Sequence, residues 1–172
     1  MVNKTARALI LIVLTIAIGF TFYQFYFAKE KGVALGESAP AFSLTTLDGE
    51  AVSIEDLRGK GVLLNFWGWW CEPCELEMPY LNEAYQQMKD DGIVIVGVHI
   101  GGTPFEIKQF LTQVPVQFPI LHDEHRAVTQ LYEIGPIPTS FLIDSNGIVI
   151  DKLVTVYTSI DDVIRDLERI KP

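Results

Sequence analysis

Residues 61–66, GVLLNF, form an unbroken apolar run. A strand built from it must bury both faces, as a central strand covered by helices does. The next segments limit the fold further. After a short loop, Cys74, Met78, Leu81, Tyr85 and Met88 recur at helical spacing up to Asp90-Asp91-Gly92, and a second strand, IVIVGVHI, comes next. Residues 105–111 read as helix, 118–121 as strand and 125–132 as helix, before Gly135-Pro136-Ile137-Pro138 breaks the chain. Two hairpins frame this core. One turns at Asp48-Gly49, and the other joins TSFLID to IVIDKLV at Asn146-Gly147 ahead of a closing helix capped by Ser159. Alternating strands and helices that end in a hairpin and a helix predict an α/β fold, a central mixed sheet flanked by helices.

The 172 residues are 49% apolar, enough for one domain with a real core and an appendage. The appendage is at the N-terminus. Residues 8–27 carry no charge, and twenty residues of helix span roughly 30 Å, the thickness of a bilayer core. The reading is therefore a cytoplasmic tail over 1–7, an uncleaved transmembrane signal anchor over 8–27, a polar linker over 28–38 and the folded domain over 39–172. Tyr23 and Tyr26 suit a headgroup interface, and Lys4 and Arg7 before the segment are matched in number by Lys29 and Lys31 after it, so the free α-amino group and the small size of the tail place the N-terminus inside and the domain outside the cell membrane, in a single pass. A cleaved signal peptide, cut near Ala17-Ile18-Gly19, is the competing reading. Both export the domain.

Beyond residue 28 there are 11 Lys and Arg against 22 Asp and Glu, a net charge of -11. Such a surface repels nucleic acid and anionic lipid and attracts a cationic partner.

The chain has two cysteines, Cys71 and Cys74, in NFWGWWCEPC. If the strand feeds a loop and the helix opens at the cysteines, Cys71 lies at the helix N-terminus, where free amides and the macrodipole favour its thiolate. That makes it a nucleophile. Cys74, one turn later on the same face, is placed to attack a mixed disulfide formed at Cys71 and release the partner. Glu77 falls on the apolar stripe with Cys74, Met78 and Leu81, so burial should raise its pKa and suit it to accept the Cys74 proton. A structural staple is disfavoured because a disulfide across two residues is readily reduced. Zinc needs four ligands; His99, His122 and His125 do not complete such a set and are read as surface or turn residues, so neither metal nor cofactor is expected. Trp67 and Trp70 serve either plain packing or, at Trp70, an apolar surface for a partner chain.

With these residues in place, the chain resembles the thioredoxin superfamily and, within it, the membrane-anchored ResA/TlpA-like branch of extracytoplasmic thiol-disulfide oxidoreductases. The likeness runs over about residues 36–172, through GESAPAFSLTTLDGE, LRGKGVLLNFWGWWCEPCELEMPYL and GPIPTSFLIDSNGIV. It implies a thioredoxin-like fold, Cys71 as attacking and Cys74 as resolving thiol, Glu77 as the branch's acidic residue, and Pro138 before Thr139 as a cis-proline facing the disulfide. The close pair Pro136 and Pro138 agrees with a constrained turn, and the backbone of Ile137 would be open to an extended substrate peptide, so Trp70, Ile137, Pro138 and Thr139 are the expected substrate-binding residues. Trp69 departs from the branch, which has a small or polar residue there, so the groove beside Cys71 should be narrower or more apolar. APAFSLTTLDGE occurs in peroxiredoxins too, but their catalytic cysteine needs a Thr and a Pro where this chain has Gly68 and Leu64, which argues against a peroxidase.

Glu72, Glu75 and Glu77 near the helix start oppose the dipole and favour a reductant over a strong oxidant. The resemblance implies the same direction. It points to reduction of the Cys-x-x-Cys-His disulfide of apocytochrome c during cytochrome c maturation, with electrons from a membrane thiol transporter. Reduction of another exported protein, as in spore-envelope assembly, and a non-catalytic membrane-tethered binding module are the alternatives.

Overall fold

The computed structural model describes residues 3–27 and 33–172. Residues 1–2 of the expected tail, 28–32 of the expected linker, and the side chains of Lys4, Arg7, Tyr23 and Tyr26 lie outside the described residues. The chain divides into two units, Met1–Lys31 and Gly32–Pro172.

In the first unit, α1 (Lys4–Phe27) is one helix of 24 residues, and its large apolar side chains from Ile10 to Phe22 are exposed. Its described side chains are continuous only over 10–22, and among the described residues no helix is long and apolar enough to cross a membrane.

In the second unit, seven strands form one sheet in the order β2-β1-β5-β4-β3-β6-β7 among the described residues. These are β1 (Ser43–Thr46), β2 (Ala51–Ser53), β3 (Gly61–Trp67), β4 (Ile93–Ile100), β5 (Ile120–Asp123), β6 (Thr139–Ile143) and β7 (Val149–Leu153). The three inner strands β3, β4 and β5 run parallel; β6 pairs antiparallel with β3, and both hairpins add antiparallel edges. The mixed sheet is as expected, and GVLLNF is an inner strand with every residue buried.

Strand alternation divides the core in two. Leu63, Trp67, Ile93 and Ile95 point to the face covered by α2 (Glu72–Met88), α3 (Pro104–Gln113) and α5 (Ile160–Glu168), where they meet Cys74, Met78, Leu81, Ile107 and Val163. Val62, Leu64, Phe66, Val96 and Val98 point the other way, to Phe42, Ile54 and the short helix α4 (Ala127–Leu131) with Tyr132. Burial on both faces is what an apolar run without alternation demands. It also decides where two polar residues go. Asn65 and His99, each inside an apolar run, fall on the α2 face by the same alternation, next to Leu63, Trp67 and Ile95.

Gly97 has a packing reason. A Cβ there would lie 2.7 Å from Ile120 Cδ1 and 3.0 Å from Trp67 Nε1, so the bare backbone is what lets the Trp67 indole lie over β4.

Candidate active site

The first half of the site is the junction of β3 and α2. After Trp67 the chain turns, the Cys71 N–H donates to the Gly68 carbonyl at 3.0 Å, and Trp70 folds back over Gly68, where a Cβ would meet its indole at 2.7 Å. Cys71 is the N-cap of α2 with extended backbone, and Pro73 occupies the first turn, where a missing N–H costs nothing. The Cys74 N–H donates to Cys71 Sγ at 3.2 Å. The sulfur therefore sits at the N-terminal end of a 17-residue helix, the end whose dipole stabilises negative charge. Cys71 and Cys74 are joined as a disulfide. Cys71 keeps 8% of its surface exposed and Cys74 none, so an incoming group meets Cys71 first.

The second half is supplied by β6. Phe66 pairs with Thr139, so the residues before β6 lie beside those after β3. This puts the Ile137 carbonyl oxygen 3.7 Å from Cys71 Sγ. The Ile137–Pro138 peptide is cis. Ile137 is half-buried, while Pro138 and Thr139 are buried behind it, and the Thr139 hydroxyl donates to the Pro136 carbonyl at 2.7 Å. Thr139 thus braces the turn.

Glu77 is fully buried, three residues after Cys74 on the same helix face. Its carboxylate accepts two hydrogen bonds, from Asn65 Nδ2 to Oε1 at 2.8 Å and from the Tyr157 N–H to Oε2 at 3.1 Å. Burial is the strongest influence and pushes its pKa up to about 7, against the two bonds, which favour the ionised form. A carboxyl poised near neutrality can take or give a proton within the pH range where thiols exchange. Glu72 and Glu75 are exposed on other faces of α2. Asn65 Nδ2 also donates to Ser140 Oγ at 3.0 Å, which ties β3, β6 and α2 together around one amide.

The tryptophans separate cleanly. Trp67 is fully buried core, 5.3 Å between ring centroids from Phe110, whereas Trp69 and Trp70 are exposed by 39% and 46% and pack edge to face on each other. The expectation for His99 needs correction. It is fully buried on β4, not a surface or turn residue, because alternation turns it into the α2-side core beside Trp67. His122 is half-buried on β5, and His125 is exposed in the turn after it.

Three contributors to this site carry no motif: Asn65, Tyr157 and His99. Asn65 and His99 do leave a signal, a polar residue inside an otherwise apolar run that needs a buried partner. Tyr157 contributes only its backbone, from a loop 80 residues away from Glu77, and leaves none.

Residues 35–152 match the family model described as the AhpC/TSA family. The chain is 45% identical over 166 residues to the thiol-disulfide oxidoreductase ResA of Geobacillus kaustophilus, covering 96% of this chain and 95% of that protein. It is 41% identical over 167 residues to ResA of Bacillus subtilis, covering 96% and 92%. Its fold superposes with a TM-score of 0.70 on a thiol:disulfide interchange protein of the thioredoxin family from Chlorobium tepidum, at 28% identity over 81% of this chain and 99% of the other. With a buried-edge Cys71–Cys74 disulfide at a helix start inside a thioredoxin-like sheet, the chain belongs to the AhpC/TSA family, as a thioredoxin-like thiol-disulfide oxidoreductase similar to ResA.

Proposed function

We propose that the protein works as a reductant outside the cell membrane, opening the Cys-x-x-Cys-His disulfide of apocytochrome c so that haem can be attached. The observation that carries the reading is the buried Glu77 carboxyl, poised near neutrality one helical turn from Cys74. In the dithiol form, the Cys71 thiolate attacks one sulfur of the substrate disulfide. That bond breaks, a Cys71–substrate disulfide forms, and the displaced substrate sulfur leaves as thiolate and takes up a proton. Cys74 then gives its proton to Glu77 and attacks Cys71 Sγ, which releases the second substrate thiol and forms the Cys71–Cys74 disulfide. Two electrons pass from the enzyme to the substrate. A membrane thiol transporter returns them.

Trp70 and Ile137 are assigned to substrate contact, with Pro138 and Thr139 holding the turn beneath. An extended segment would pair with the Ile137 backbone, and its target sulfur would then lie at Cys71. The net charge of -11 beyond residue 28 favours a cationic substrate. α1, apolar on all sides over its described stretch, is assigned as the membrane anchor, with the N-terminus cytoplasmic. Glu72 and Glu75 place negative charge in the first turn of α2, which favours a reductant over a strong oxidant.

The test is reduction of oxidised apocytochrome c by the full-length dithiol protein in detergent, against a scrambled peptide with the same disulfide and charge. Faster reduction of the cytochrome supports the reading. Equal rates reject it, and the substrate is then another exported disulfide protein.

A further inference from the structure

His99 sits where it can shape the site without touching a substrate. Its ring is edge to face with Trp67 at 4.7 Å and with Trp70 at 5.5 Å between centroids. Both nitrogens are used. Nδ1 lies 2.9 Å from the Gly101 carbonyl oxygen, which can only accept, and Nε2 lies 3.1 Å from the Trp69 backbone N–H, which can only donate. Together these partners require one state, a neutral imidazole with its proton on Nδ1. A proton added at Nε2 would point at the Trp69 N–H and break that bond.

The surroundings resist such a proton. His122, on β5, has Nε2 at 3.1 Å from the carbonyl oxygens of both Gly101 and Gly102, so it shares the Gly101 acceptor with His99, and the two rings are 6.3 Å apart. Glu106, in the first turn of α3, is a carboxylate that favours the charged form of His99; it is half-buried, and its Oε2 already takes the N–H and hydroxyl of Thr103. Burial dominates and lowers the His99 pKa to about 4, helped by His122 and opposed by the Gly101 bond and Glu106.

The residues that His99 holds directly precede the nucleophile. Trp69 is fixed through its N–H, and its indole Nε1 lies against Gly102, where a Cβ would come within 3.4 Å. Trp70 is clamped between Gly68 and the His99 ring. These are the two large aromatic side chains left exposed beside Cys71. We propose that His99 is a positioning residue for exchange with polypeptide disulfides: its neutral imidazole sets the attitude of Trp69 and Trp70, and a peptide substrate reads that attitude whereas a small disulfide does not. This rests on the oxidoreductase activity and not on the identity of the substrate.

The test uses the full-length protein in detergent with three substrates: a disulfide-bridged Cys-x-x-Cys-His peptide, its scrambled form, and hydroxyethyl disulfide. His99→Phe keeps a ring and removes both nitrogens; His99→Gln restores an acceptor for the Trp69 N–H. In His99→Phe, KM for both peptides is expected to rise about tenfold, the scale of one buried hydrogen bond lost, while kcat and hydroxyethyl disulfide turnover change less than about twofold. His99→Gln is expected to recover KM to within about threefold. In the wild type, nitrogen NMR should find the proton on Nδ1, and tryptophan fluorescence should fall with a midpoint near pH 4 that His99→Phe lacks. An unchanged peptide KM in folded His99→Phe overturns the proposal, as does an equal loss on all three substrates. If His99→Phe does not fold, His99→Gln and the wild type decide: a tenfold KM rise in His99→Gln, a proton on Nε2, or a midpoint near 6.5 overturns it. A difference between the native and scrambled peptides in the wild type bears on the cytochrome reading alone.

Discussion

Asn65 and Glu77 form a 2.8 Å hydrogen bond between a central strand and the helix packed over it, with neither side chain exposed. The amide donates and the carboxylate accepts, so the contact is strongest when Glu77 is ionised. Burial pulls the other way and raises the pKa to about 7. The acidity of the site's buried carboxyl is therefore a balance between desolvation and two donors, and each side can be altered separately.

Glu77→Gln should flatten the pH dependence of substrate release around neutrality. It should also remove a slope in stability. The folded-state pKa lies above the ordinary value of 4.5, so between about 4.5 and 7 the folded protein binds more protons than the unfolded chain, and stability falls as pH rises through that window. The full shift corresponds to up to about 3 kcal/mol. Denaturant unfolding near pH 5 and near pH 8 should show this loss in the wild type and not in Glu77→Gln; parallel curves would remove Glu77 from proton transfer.

Asn65→Ala withdraws one of the two donors that favour the charged carboxylate. The Glu77 pKa should rise above about 7, and the pH midpoint of the release step should move to the alkaline side. Carbon NMR of the Glu77 carboxyl reads this directly. A midpoint that stays put or moves to acid would show that the Asn65 bond does not hold the Glu77 pKa down.

Cys71 is partly exposed at the helix start and Cys74 is sealed beneath it. Limiting alkylation of the reduced protein should therefore label Cys71 first, and Cys74→Ala should trap mixed disulfides that Cys71→Ala does not. Peptide mapping of the labelled thiol decides, and preferential labelling of Cys74 reverses the two roles.

Charge should act on encounter more than on chemistry. Reduction of a cationic Cys-x-x-Cys-His segment should slow as salt rises, while hydroxyethyl disulfide turnover hardly changes, given the net charge of -11 beyond residue 28. Stopped-flow rates across a salt series provide the check. A slope shared by both substrates would point to the thiol chemistry itself.

The assignment of α1 as an anchor predicts fractionation. The full chain should sediment with membranes and resist carbonate extraction, whereas a chain starting at Val33, which packs on the domain core, should remain soluble and active. Release of the full chain by carbonate would reject the anchor.

Much of this site can be read from the sequence because its parts are close together along the chain. The strand run, the helix start at Cys71 and the stripe through Cys74 and Glu77 are all local patterns, and Glu77 is buried as its place on that stripe requires. What escapes such a reading depends on contacts across the sheet. His99 reads as exposed because histidine usually is, whereas its burial comes from strand register beside Trp67. The two fates of Trp67 and Trp70 also need the fold: Trp67 is still strand, pointing inward over Gly97, while Trp70 lies beyond the strand end. The brace from Tyr157 is set by where a distant loop closes, and no periodicity encodes that.

The pairing of Phe66 with Thr139 has a consequence beyond the geometry of the site. Cys71 and the Ile137 carbonyl come from either side of this antiparallel seam, 66 residues apart in sequence. Bringing them together costs the closure of the loop between them. The backbone that would hold a partner and the sulfur that would react with it are therefore neighbours only in the closed sheet, so a change that weakens this seam separates recognition from chemistry while leaving both parts of the chain intact.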